Sequence, residues 1–228
     1  MIRFLYGDSL AEHSRLAQSM FRDRTKQFSE RLGWEVSVND AGEERDQYDA
    51  LNPLYVIWQR PDGLHGGSMR FLPTTERCMT HEHFLHLSGG TPVQSPFIWE
   101  CTRFCLSESA SPTTAARLML AGAALMEGQR LEHFLGVFDA PMERIYRQIG
   151  ASPEILGSVG QGRTKTSLGL WAYTPAAKAR LVKKAKLSEA VMLHWYLRAF
   201  GRSHPKNQTP TRPFAHSKRA RKALGSRA

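Results

Sequence analysis

Glu100 and Arg103 interrupt the apolar run from Phe97 to Leu106, which otherwise reads as a central β-strand covered on both faces. A carboxylate in such a place can take a proton and a guanidinium can hold an anion. Each is costly to bury without a partner or a task. On a regular strand their separation sends them to opposite faces, an arrangement that a bulge would change. Other charges are equally out of place. Arg24 lies on the apolar row Leu16, Met20, Phe28 and Leu32, spaced by four, so it points inward and calls for carboxylate partners. Residues 35–52 hold Asp40, Glu43, Glu44, Asp46 and Asp49 without a clear period and read as a long ordered loop, a type usually kept for binding. Arg70 sits in the middle of a strand-like segment.

The elements that must position these side chains follow from periodicity and punctuation. Ile2–Tyr6 reads as a strand, after which Asp8 or Ser9 can cap a helix running to about Leu32 and ending at Gly33-Trp34. Leu54–Gln59 and Ser68–Leu72 form a hairpin around the turn signals Pro61-Asp62-Gly63 and Gly66-Gly67. Residues 75–90 read as an irregular helix and loop. After the central strand come a helix over Pro112–Gly128, a strand over Glu132–Phe138, a short helix over Met142–Ile149 and strands near Ile155–Val159 and Ser167–Tyr173. A last helix runs from Thr174-Pro175 to about Phe200. Nothing interrupts residues 1–200, so the order predicts one three-layer α/β/α domain followed by a tail over 201–228.

The 228 residues carry a net charge of +10, which invites a nucleic-acid partner. Its distribution argues otherwise. The segment 201–228 holds eight of the 31 Lys and Arg and no acid, leaving 23 bases against 21 acids in the rest. That tail is poor in apolar residues and reads as disordered and solubilising, with an arm for an acidic partner as the alternative. No apolar run approaches the length of a membrane span, and the N-terminus lacks the pattern of a secretory leader. The three cysteines, Cys78, Cys101 and Cys105, suggest no disulfide framework, so the expected compartment is the cytoplasm.

In order, the anomalous residues are Arg24, Phe28, Trp34, Asp46, Asp49, Arg70, Glu100 and Arg103. The set resembles the pattern of the acyl-homoserine-lactone synthases: Arg-x3-Phe-x5-Trp, two nearby Asp, an Arg on the next hairpin, and Glu-x2-Arg on a central strand. The resemblance covers roughly residues 1–175. It implies a fold similar to the GNAT acyltransferases, with a mixed sheet, and a reaction between S-adenosylmethionine and an acyl thioester carried on acyl carrier protein or coenzyme A. The implied products are an acyl-homoserine lactone, methylthioadenosine and the free thiol, with S-adenosylmethionine a substrate and no cofactor or metal required.

The residue types suit that chemistry. The amino group must lose a proton before attacking the thioester, and Glu100, a desolvated carboxylate on a central strand, is the candidate base. Trp34 and Phe28 suit the sulfonium or the adenine, where cation–π attraction offers roughly 0.5–2 kcal/mol. Asp46, the second candidate catalytic residue, and Asp49 suit the amino group or the arginines, and Arg24, Arg70 and Arg103 suit carboxylates. Phe104 is expected beside them. The same charged residues also read as a structural ion network, and Phe28 and Trp34 as core aromatics. The acyl pocket is expected from Phe104, Met119, Ala123, Leu125, Met126, Phe138 and Met142. In the resemblance, synthases that favour 3-oxo chains tend to carry Thr where this chain has Phe138. An unsubstituted, branched or aryl acyl group is therefore expected. A basic docking patch for an acidic carrier is available in Arg117, Arg144, Arg147, Arg163, Lys165, Lys178, Arg180, Lys183, Lys184 and Lys186, and sequence does not choose between the carriers.

Other signals carry less. Cys78, His81, His83 and His86 cluster, but His81-Glu82-His83-Phe84-Leu85-His86 is not His-Glu-x-x-His, and a solvated polar segment is the simpler reading. Gly160-Gln161-Gly162-Arg163 reads as a turn. The alternative function is a GNAT-type N-acyltransferase using acyl-coenzyme A and another amine. It is weakened because Ser107-Glu108-Ser109-Ala110-Ser111-Pro112 lacks the glycines of a pyrophosphate loop. A third reading is a binding module whose tail recruits nucleic acid.

Overall fold

The strand-like runs assemble into one seven-stranded sheet in a computed structural model that describes residues 1–201. The basic tail expected over 201–228 lies, apart from Gly201, outside the described residues. The strands are β1 (Ile2–Tyr6), β2 (Leu54–Gln59), β3 (His65–Pro73), β4 (Ile98–Leu106), β5 (His133–Asp139), β6 (Glu154–Val159) and β7 (Thr166–Ala172). They lie in the order β1-β2-β3-β4-β5-β7-β6. Every neighbouring pair is antiparallel except β4 and β5, which run parallel and are joined through the helix α3 (Thr114–Gln129). A parallel pair needs such a crossover.

The helices cover both faces, giving the predicted three layers. Helices α3, α5 (Pro175–Ala185) and α6 (Glu189–Phe200) pack on one face, where Leu118, Leu125, Leu181 and Tyr196 join Val56, Phe71 and Phe134 in the main core. Full burial of a side chain of this size contributes roughly 1.5–3 kcal/mol. Helix α1 (Ser14–Arg24) covers the other face through Leu16, Met20 and Phe21 against Tyr55 and Ile57. The short helix α2 (Met79–His83) lies before β4, and α4 (Ala140–Ile149) follows β5.

Two helices differ from expectation. The first begins as a 3₁₀ turn over Gly7–His13 without a side-chain cap, because the N–H of Asp8 is taken by the Asn52 Oδ1. It becomes α-helical only from Ser14 and continues as a π-helical segment over Thr25–Arg31. The last helix is two helices. The helix starts at Pro175 as predicted, with Thr174 as its cap, but Lys186 turns left-handed (φ 52°) and Ser188 caps α6. Among the described residues no helix is long and apolar enough to cross a membrane.

Candidate active site

The row Leu16, Met20, Arg24, Phe28 stays buried across the change from α to π winding, and only Leu32 emerges. Arg24 therefore reaches the interior, where its Nε donates to Glu44 and its two terminal nitrogens donate to Asp49, each at 3.0 Å. Arg70 comes from β3 on the same side. It donates to both oxygens of Asp46, to Asp49 and, from Nε, to the Thr102 hydroxyl at 3.0 Å. Arg103 completes the set through Glu44 Oε1, at 3.0 and 3.1 Å, and Asp46 Oδ2, at 2.8 Å. Three guanidiniums thus meet three carboxylates, and the cluster is formally neutral. Asp46 also caps the 3₁₀ turn Gln47–Leu51 reciprocally with Asp49, so the loop that supplies the acids fixes its own shape.

Burial works against the charge of Arg24, Asp49 and Arg70, and their partners outweigh it. Asp49 is desolvated, which pushes its carboxyl up, yet Arg24 and Arg70 hold it well below the usual carboxylate range. Arg24 is likewise opposed by burial but kept charged by Asp49 and Glu44. Tyr55, pushed up by burial and by Asp49, donates its hydroxyl to that carboxylate at 2.6 Å.

A bulge in β4 corrects the expected geometry of Glu100 and Arg103. Opposite β3, Ser68 pairs with Cys105 and Arg70 with Thr102, so Arg103 and Phe104 share the place across from Met69. Arg103 adopts φ 52°, the left-handed region that a non-glycine residue occupies only under constraint. The extra residue turns Arg103 to the face of Glu100 and Thr102. Glu100 does not lie on the cavity wall described below. Its carboxylate accepts from the N–H groups of Met79 and Thr80 and from the Thr80 hydroxyl, so it receives the start of α2. Met79 in turn places its sulfur 4.0 Å from Arg103 Nη1.

Phe28 and Trp34 stack in parallel, 5.2 Å apart and 7° from coplanar, and Arg103 lies 5.4 Å from the centre of the Phe28 ring. Phe28 is buried while Trp34 is 43% exposed. Trp34, Arg103 and Asp46 thus form the accessible edge of an otherwise closed cluster, with Phe28 beneath Trp34.

The other face of β4 is open. Its ladder with β5 ends at Glu100 and Leu135, and beyond that point the strands part. A cavity of about 440 Å³ fills the gap, lined by Thr102, Arg103 and Phe104 at one side and by Met119, Ala123, Met126, Tyr146 and Trp171 among others. Gly136 is required at the tip, because a Cβ there would stand 2.9 Å from the Cys101 carbonyl oxygen. Of the expected acyl-pocket residues, Phe104, Met119, Ala123 and Met126 line the cavity. Leu125, Phe138 and Met142 do not. Leu125 is wholly buried in the main core. Phe138 stands behind Tyr146 and Trp171, edge-on at 5.3 and 5.5 Å, and Met142 packs on the core from α4.

The family can now be read from residues 8–180, which match the family model described as autoinducer synthase. The chain belongs to the autoinducer synthase family. It is similar to an acyl-homoserine-lactone synthase of Rhizobium etli, 39% identical over 181 residues that span 76% of this chain and 85% of that one. Among solved structures it is similar to the AHL synthase LasI, with TM-score 0.70 and 25% identity over 80% of this chain and 94% of that one. A second likeness, to the CoA-dependent acyl-homoserine lactone synthase MesI, has TM-score 0.74 at 23% identity over 84% and 98%, and shows the shared fold. The chain is an acyltransferase of the acyl-homoserine-lactone synthase family, with the α/β fold that the sequence implied.

The structure brings seven of the eight predicted residues into one contiguous set, with Glu100 attached through Met79. Sequence reading missed Glu44 and Thr102. Glu44 is fully buried and serves two arginines; its signal was the alternation Glu44-x-Asp46, which in an extended segment points both acids the same way. Cys78, His81, His83 and His86 do not converge, and among the described residues no three His, Cys, Asp or Glu side chains form a cation-binding group.

Proposed function

We propose that the chain condenses S-adenosylmethionine with an acyl thioester to give an acyl-homoserine lactone, methylthioadenosine and a free thiol. The observation that carries this reading is the meeting of two environments at the β4 bulge. Thr102 and Arg103 line the apolar cavity and at the same time belong to the charged cluster. An acyl chain suits the first environment and an aminoacyl sulfonium the second.

In this reading the edge formed by Trp34, Arg103 and Asp46, with Phe28 beneath, receives S-adenosylmethionine. The aromatic pair faces the sulfonium or adenine, and Arg103 Nη1 faces the carboxylate. Arg24, Asp49 and Arg70 hold those groups in place, and Phe104 carries the acyl chain away from the bulge. The deprotonated amine attacks the thioester carbon, a C–N bond forms, and the C–S bond breaks with its electron pair leaving on the thiolate. The substrate carboxylate then attacks the carbon bearing the sulfonium, closing the lactone as methylthioadenosine leaves with the electron pair. Both steps depend chiefly on positioning, and the reading needs no cofactor or metal. Glu100 is the proposed acceptor of the amine proton, working through a water; its support is the face it shares with Thr102 and Arg103.

The proposed acyl group is unsubstituted, branched or aryl rather than 3-oxo; its support is the phenyl ring of Phe138, which offers no hydrogen bond and bears on the cavity through Tyr146 and Trp171, the two rings it meets edge-on. The carrier is acyl carrier protein or coenzyme A, and the reaction belongs to the cytoplasm. Mixing the protein with S-adenosylmethionine and a panel of acyl thioesters tests all of this. Release of methylthioadenosine with thiol is expected. Thiol release that needs another amine and yields no methylthioadenosine would replace the reading with an ordinary N-acyltransferase. Fastest turnover of 3-oxo chains would overturn the acyl assignment.

A further inference from the structure

A second polar chain lies beside the charged cluster and shares none of its atoms. His65 Nδ1 stands 2.7 Å from Asp23 Oδ2, and His65 Nε2 stands 3.0 Å from the Ser68 hydroxyl. The backbone N–H of His65 donates to Ser19 Oγ at 3.0 Å. His65 and Ser68 are three positions apart, which on a regular strand would put them on opposite faces. A one-residue register shift against β2, where Trp58 faces Gly67 and Gln59 faces His65, adds Gly66 and brings them together. The trio has the composition of a nucleophile, a base and an orienting carboxylate. It is sealed: His65 is 1% and Ser68 2% exposed, and neither lines the cavity. Hydrolytic chemistry is therefore not its use.

Its position gives it another. Ser19 and Asp23 are one turn apart on the last turns of α1, and both are tied to the start of β3. The next residue on α1 is Arg24, which binds Glu44 and Asp49. Asp49 binds Arg70, two residues beyond Ser68 on the same strand. The contacts close a ring from Asp23 through His65, Ser68, Arg70 and Asp49 to Arg24. The Arg24 side chain binds two carboxylates of the loop before β2, of which Glu44 also holds Arg103, so the His65 link is the side-chain tie that sets the last turn of α1 against β3 beside them. We propose that His65 is a positioning residue for the reaction, clasping α1 to β3 so that the Arg24–Glu44–Asp49 unit presents Arg103 and Asp46 to S-adenosylmethionine. The inference rests on the reading that this cluster receives that substrate. The shapes of the partners assign the tautomer: Nδ1 donates to the carboxylate and Nε2 accepts from the hydroxyl. Burial, opposed in part by Asp23, keeps the ring's proton affinity below the ordinary histidine value, consistent with a neutral ring.

The test is a comparison of steady-state and binding constants in the full-length protein. His65→Leu is expected to raise KM and the calorimetric Kd for S-adenosylmethionine by about tenfold, with KM for the acyl thioester within about twofold, since a misplaced positioning group costs up to about a hundredfold. His65→Asn retains a donor toward Asp23 and is expected to recover most of the loss. Should His65→Leu fail to fold, His65→Asn against His65→Gln makes the same comparison, with Gln, which reaches Ser68 instead of Asp23, the weaker binder. A fall in Tm or active fraction with Kd unchanged would overturn the proposal and leave His65 a purely structural residue. Asp46→Asn separates the underlying reading. If it too leaves Kd for S-adenosylmethionine unchanged, the cluster is not the substrate's site and the proposal falls with it. If it raises Kd while the His65 variants do not, only the His65 proposal falls.

Discussion

The two sides of β4 solve opposite problems within a few residues of each other. On the side of Thr102 and Arg103 every charge is matched, the arginine–carboxylate bonds are short, and little more than Trp34 and the edge of Arg103 and Asp46 meets solvent. On the side of Cys101 and Phe104 the strand ladder stops and a cavity is left, its wall mostly apolar around Phe104, Met119 and Met126. A buried charged cluster tolerates no vacancy, since each unpaired group is expensive. An apolar wall tolerates vacancy well and defines only shape. The charged side therefore fixes orientation and the apolar side admits variety, and the bulge at Arg103 is where the two are joined.

The comparison breaks most severely at Arg70. Arg70→Ala leaves Asp46 and Asp49 facing each other in a buried site, so a stability loss of about 3–5 kcal/mol and complete loss of turnover are expected. Denaturant unfolding measures the first, and wild-type stability would show that the cluster is not a mutually dependent unit. Gly136→Val attacks the open side instead. Its added side chain meets the Cys101 carbonyl, so kcat/KM for acyl thioesters should fall on the order of a hundredfold while calorimetry finds binding of S-adenosylmethionine intact. Loss of both would mean that the two sides are not separable.

Glu100→Gln sharpens the boundary between chemistry and architecture. The amide replaces an acceptor with a donor opposite the N–H groups of Met79 and Thr80, so turnover should fall strongly and stability should drop by about 1–3 kcal/mol. Reduced turnover at unchanged Tm would favour a role in proton transfer alone, and unchanged turnover would remove Glu100 from the reaction.

The smallest effect is the acid response of the closed side. Arg24 and Arg70 depress the Asp49 carboxyl in the folded state, so its contribution is fully present above the ordinary carboxylate value of about 4 and is lost as pH falls below it. Unfolding free energy should already ease below about pH 6.5, where the unfolded His65 ring takes a proton that the folded one resists, and decline further below about 4, with that second decline shallower in Asp49→Asn.

These contrasts also explain what could be read from the chain alone. Arg24 betrayed itself by standing on an apolar row, and Glu100 and Arg103 by interrupting a strand, because a charge in an apolar pattern is costly enough to be conspicuous. The three-layer order followed from alternating helix and strand periods. The bulges did not follow, since one inserted residue leaves both the apolar count and the turn signals unchanged while reversing every face beyond it. That single ambiguity hid the shared face of Glu100 and Arg103 and the meeting of His65 with Ser68. Phe138 was misplaced for a related reason: alternation shows that a residue points inward, but which shell it occupies depends on the bulk of Tyr146 and Trp171 in front of it.

The left-handed backbone of Arg103 carries a consequence for how this site can change over generations. Glycine would relax the main chain there but delete the fork that joins Glu44 and Asp46; lysine would keep the charge but neither relax the chain nor bind both acids in plane. No single exchange improves one requirement without forfeiting the other, so position 103 has no stepwise route to a different residue, whereas the cavity wall can change one side chain at a time without disturbing the charged cluster.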